Sequence, residues 1–157
     1  FQSLFILFGN FQFGSLLSYF RLVSYIFGHA DFTHYIGNFT LILLVGPMLE
    51  EKFGSTSLLK MMFFTAITTA IINLVFFGDN ILGASGIVFM MIMLSSFTSY
   101  TSGKIPLTFL LVFVLFIGKE VVSSFSADHV SQFGHIMGGI CGAVFGFVLT
   151  KSSHESA

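Results

Sequence analysis

Ser85 lies between glycines in Gly83-Ala84-Ser85-Gly86, at the head of a long apolar run. His135 lies in a second such run, within Gln132-Phe133-Gly134-His135. A hydroxyl and an imidazole are expensive in segments of membrane-spanning character, and their presence there points to chemistry. A serine hydroxyl is a weak nucleophile until a base takes its proton, and histidine is the side chain suited to that task. His34 and Asn38 are four residues apart, hence on one helical face. Imidazole and carboxamide both offer N–H donors, the groups that stabilise a tetrahedral oxyanion. At a helix start, Ser85 would add free backbone N–H groups and the positive end of the helix dipole. Metal binding is the weaker reading, because His29, Asp31 and His34 match no zinc spacing and no cysteine joins them. No metal and no cofactor are expected.

These groups must be carried by helices. The chain has 157 residues, 55% hydrophobic and 8% charged, with 23 Phe and no Trp, and a mean hydropathy of +0.95. A soluble domain carries about 25% charged residues, so this composition predicts an all-α, polytopic membrane helix bundle. A net charge of −1 singles out no charged partner, and no nucleic acid is expected. The one cysteine, Cys141, excludes a disulfide within the chain. A membrane span needs about 20 apolar residues, roughly 17 to 25. Charge-free runs then predict one domain over 1–157 with five transmembrane helices, at 33–52, 57–77, 81–101, 105–122 and 130–151. The runs are too continuous for the alternation of a membrane barrel. Residues 1–32 read as an N-terminal, Phe-rich interfacial loop, too polar at Gln2, Asn10 and Gln12 for a comfortable span. Lys52, Lys60, Lys104 and Lys151 fall on one side of this arrangement, Arg21 and Lys119 on the other. The Lys/Arg excess marks the cytoplasmic side, so Ser85 and His135 both fall at the outer leaflet.

Small residues let membrane helices approach closely. Gly83 and Gly86 flank the serine, while Gly134, Gly138, Gly142 and Gly146 recur every four residues on the His135 helix. Taken singly, such a stripe is plain packing and a lone serine is a back-bonded hydroxyl; their conjunction at one membrane depth favours catalysis. Asp79 and Asp128 are poorly placed to orient His135, which leaves a Ser–His dyad.

With these motifs in order, the chain resembles the rhomboid intramembrane serine proteases from Phe20 to Lys151. The family's nucleophile motif matches Gly83-Ala84-Ser85-Gly86, its histidine motif matches His135, Gly138 and Gly142, and its oxyanion element matches His34 and Asn38. Its first-loop pattern matches Phe20, Arg21 and His29, with Phe20 replacing the usual tryptophan, and an acidic helix end matches Glu50 and Glu51. The resemblance implies cleavage of transmembrane protein substrates in the lipid bilayer, with Ser85 as nucleophile and His135 as base. The Ser85 N–H, His34 and Asn38 would form the oxyanion hole, and Phe89 would stack on the histidine where tyrosine is usual. It also implies a six-helix core whose first helix precedes Phe1, and a bacterial cell membrane with the active site on the extracytoplasmic side. An inactive, helix-binding relative and a small transporter are the alternatives, though a transporter would show an inverted repeat.

Overall fold

The computed structural model describes residues 2–100, 114 and 129–155. The helix expected over 105–122, but for residue 114, and Asp128 lie outside the described residues. Within them are five α-helices: α1 (Leu16–Ser24), α2 (Phe32–Phe53), α3 (Ser55–Phe76), α4 (Ser85–Tyr100) and α5 (His129–Glu155). Two short 3-10 turns, Gln2–Leu4 and Tyr25–Phe27, complete the described secondary structure, apart from one isolated antiparallel bridge between Leu7 and Ile81. The protein is an all-α membrane helix bundle.

α2 and α3 each have 22 residues and are, among the described helices, the two long and apolar enough to cross a membrane. At about 1.5 Å per residue each reaches about 33 Å, close to the hydrocarbon thickness of roughly 30 Å. Asp31 starts α2: its carboxylate accepts from the His34 backbone N–H at 2.8 Å, capping the first turn in which His34 sits. Gly54 separates α2 from α3 at φ +77°, a left-handed conformation that favours glycine. The Gly54 N–H donates to the Glu50 carbonyl at 2.8 Å, closing α2 at its other end.

α4 is the centre of the bundle. Every residue from Ile87 to Ile92, and Leu94 after them, is buried; at 3.6 residues per turn these positions reach around the helix, so α4 is enclosed on nearly every side along this stretch. It packs against α5 more extensively than any other described pair does. The outer faces tell the opposite story. Leu43, Leu44 and Met48 on α2, and Ile136, Ile140, Val144 and Phe147 on α5, are large, apolar and exposed. Continuous stripes of this kind are foreign to a soluble monomer and natural against lipid tails.

The first 28 residues are more than a loop. They contain α1, and Leu7 is 1% exposed. Leu7 and Ile81 exchange two backbone hydrogen bonds, at 3.1 and 3.0 Å. This pairing holds Ile81 in extended backbone, and Gly83 follows at φ +123°. α4 therefore starts at Ser85 rather than at Ile81, the start that the apolar run alone predicts.

Candidate active site

Ser85 is the first residue of α4, and the Val88 N–H closes the first turn on the Ala84 carbonyl at 3.0 Å. The N–H groups of Ser85, Gly86 and Ile87 have no partner within the helix, as at any helix start. They point where a negative charge is favoured.

α5 crosses α4 directly beside this start. A Cβ added to Gly138 would lie 2.0 Å from the Gly86 carbonyl oxygen, and one added to Gly142 would lie 2.3 Å from the Met90 carbonyl oxygen. Neither position admits a side chain without parting the helices. A Cβ on Gly86 would lie 3.0 Å from the Gly134 carbonyl oxygen. Gly134 itself has nothing within 4 Å of its added Cβ, so the glycine requirement on α5 lies at Gly138 and Gly142. Phe89 stands one turn along α4 from Ser85, on the same face. Its ring stacks on His135, with centroids 4.5 Å apart and planes at 20°. His135 is buried. Ser85 and His135 thus flank the same crossing, with Phe89 as the floor under the imidazole.

His34 approaches from α2. A Cβ on Gly83 would lie 2.9 Å from its Cε1 atom, so Gly83 is doubly constrained, by its positive φ and by this ring. Asn38 lies one turn further along α2 and is 3% exposed. Its Nδ2 amide has no hydrogen-bond partner among the described residues. A buried N–H left so costs about 1–3 kcal/mol, and such a group calls for an explanation in strain or function. His29 meets His34 edge-on at 5.2 Å. Burial pushes the His29 imidazole below the ordinary histidine value, against the opposing pull of the Phe27 carbonyl and the Asp31 carboxylate.

A cavity of about 270 Å³ opens between these elements, lined by Ser85, Gly83, His34, Tyr25, Thr69 and Asn80 among others. Tyr25, Thr69 and Asn80 were not singled out by motif. The first two carry polar atoms within apolar surroundings, which is the signal that identified Ser85. The Tyr25 hydroxyl donates to the Ala66 carbonyl at 3.2 Å, and its own carbonyl accepts from the Gly83 N–H at 3.0 Å. Burial raises the phenol pKa well beyond its ordinary value, so it stays neutral.

Two residues singled out in the sequence stand apart from this cavity. Arg21 donates to the Ser3 carbonyl at 2.7 Å and lies 4.8 Å over the Phe8 ring, holding the first segment to itself. Glu50 accepts from the Ser55 hydroxyl at 2.5 Å at the far end of α2. No group of three or more metal-ligating side chains occurs among the described residues.

The arrangement thus offers a hydroxyl at a helix start, an imidazole across a glycine contact, and further N–H donors on α2. The chain is similar to the rhomboid protease GlpG of Haemophilus influenzae, 23% identical over 139 residues, which are 87% of this chain and 72% of that protein. It is also similar to the RHOMBOID-like protein 4 of Arabidopsis thaliana, 29% identical over 142 residues, 85% of this chain but 35% of the relative. The family description "Rhomboid domain" matches residues 17–152, which take in every helix from α2 to the last turns of α5 and all the site residues named above. On that match the chain belongs to the rhomboid family of membrane proteins.

Proposed function

We propose that this chain is an intramembrane serine endopeptidase that cleaves peptide bonds in or near transmembrane segments of other membrane proteins. Ser85 is the nucleophile and His135 the general base. The Ser85 Oγ bonds to the scissile carbonyl carbon while its proton passes to the His135 imidazole. The imidazolium then protonates the leaving amine as the C–N bond breaks, leaving an acyl ester on Ser85. Water, deprotonated by His135, hydrolyses that ester and restores the hydroxyl. The oxyanion is held by the Ser85 N–H together with His34 and Asn38. The site faces the extracytoplasmic side of a bacterial cell membrane, in keeping with the Lys distribution.

The observation that carries this reading is the stack of Phe89 on His135 beside the Gly86–Gly138 contact, one turn from Ser85. It fixes the imidazole at the depth of the helix start. The Nδ2 of Asn38, which bonds to none of the described residues, supports the oxyanion assignment. The test is cleavage of a single-span membrane protein by the purified chain in proteoliposomes. The expected result is a product that the wild type forms and Ser85→Ala does not; equal cleavage by both overturns the proposal.

A further inference from the structure

Asn80 lies in the α3–α4 connection and borders the same cavity as Ser85, yet no step above uses it. Its Oδ1 accepts from the Gly9 backbone N–H at 3.0 Å. A backbone N–H can only donate, so this bond settles which end of the carboxamide is oxygen. The planar group is thereby anchored at one end. Its Nδ2, with two donor hydrogens, bonds to none of the described residues, and the side chain is exposed. The support behind the anchor is firm. Gly9 is seated so closely that an added Cβ would lie 1.6 Å from the Gly78 carbonyl oxygen. The next residue, Ile81, is fixed by its two bonds to Leu7. On the other side, Asn73 Nδ2 donates to the Asp79 carbonyl at 2.7 Å.

A pre-oriented donor at the rim of a cavity in an apolar protein is a recognition element, because an acceptor that meets it needs no further ordering of the protein. We infer that Asn80 is a specificity-determining residue, whose Nδ2 donates to an acceptor-bearing side chain (Asp, Asn, Glu, Gln, Ser or Thr) of the substrate near the scissile bond. This rests on the reading of Ser85 as nucleophile. The reach is bounded by the chain itself. Asn80 and Ser85 are five positions apart, at most roughly 17 Å if fully extended. An extended substrate rises about 3.3 Å per residue, so the preferred acceptor falls within about five residues of the cleaved bond.

The experiment is a positional scan in one transmembrane substrate. Each of the five residues on either side of the scissile bond is changed between alanine and an acceptor-bearing residue, and kcat/KM is compared as a ratio. One neutral hydrogen bond is worth about 3- to 10-fold, so wild type should favour the acceptor by that factor at one position. Asn80→Asp retains an oxygen for the Gly9 N–H and removes the donor. Its ratio at that position should fall to about 1 or below, and lowest for Asp and Glu. Because a ratio is read, general loss of activity in the variant does not mimic the effect. A flat wild-type scan, or an unchanged ratio in Asn80→Asp, overturns the inference while cleavage itself leaves the Ser85 reading standing. Cleavage that survives Ser85→Ala overturns that reading instead.

Discussion

Two glycine contacts hold the candidate site, and they differ in kind. At the α4–α5 crossing, backbone meets backbone inside the bundle, with Met90, Met91 and Leu94 buried around it. At the Gly9–Gly78 contact, backbone also meets backbone, but Gly78, Asp79 and Asn80 are exposed. The first contact fixes His135 against the Ser85 helix by steric fit. The second holds the exposed end of the connection leading into Ser85 by the Gly9–Asn80 hydrogen bond, whereas the ties further along, Leu7 with Ile81 and Gly83 with Tyr25, are buried. Contacts with little apolar burial open at lower free energy than buried ones. On the proposed chemistry, the crossing sets the relative placement of nucleophile and base, and the first segment sets the finer pose of the oxyanion and substrate.

Breaking the chemistry at the crossing should have the largest effect. Ser85→Ala and His135→Ala should each abolish turnover of a transmembrane substrate, measured by product formation. The two act as a unit, so the double variant should be little worse than either alone.

Parting the crossing comes next. Gly138→Val or Gly142→Val forces a side chain into a carbonyl oxygen and must move the helices by an ångström or so, a displacement that can cost on the order of 100-fold in rate. Thermal stability should fall with it, as for other overpacked cores, by about 1–3 kcal/mol. Gly134→Ala is the control for packing, since its Cβ meets nothing within 4 Å; Tm should stay near wild type. Loss in all three variants alike would mean that the stripe is sensitive for a reason other than this crossing.

Asn38→Ala removes one neutral donor and should lower kcat by about 100- to 1,000-fold, the range for a single oxyanion donor. His34→Ala should be at least as severe, since it also empties the space beside Gly83. Wild-type turnover in both variants would make the pair structural and leave the oxyanion to backbone N–H groups.

The smallest effect belongs to the exposed contact. Gly9→Ala should shift the Gly78–Asn80 connection and lower turnover several-fold, with faster amide hydrogen exchange at Ile81 and little change along α4. Exchange that rises equally in α4 would erase the distinction between the two regions.

The difference between these regions is also what separated the legible from the illegible in the sequence. The crossing is readable because side-chain identity carries it: only glycine permits the approach at Gly138 and Gly142, and glycines repeat visibly. The break between α2 and α3 is readable from the charges of Glu50, Glu51 and Lys52 that end the first apolar run, and Gly54 beyond them supplies the positive φ. The start of α4 was not, because Ile81 is apolar like the helix that follows and its pairing with Leu7 uses main-chain groups that almost every residue possesses. Gly9 and Asn80 meet across 71 residues, with no spacing rule to reveal it. Arg21 and Glu50 stood out by charge, and the fold uses them to tie local structure together away from the cavity.

In the proposed mechanism Ser85 is made nucleophilic by His135 across the α4–α5 crossing. This is tested most directly by labelling the detergent-solubilised protein with a small fluorophosphonate and locating the adduct by peptide mass spectrometry. One adduct is expected, on Ser85, lost in both Ser85→Ala and His135→Ala and surviving in Asn38→Ala. Labelling of Ser85 at the wild-type rate in His135→Ala, or an adduct on a different residue that persists in Ser85→Ala, would contradict that mechanism.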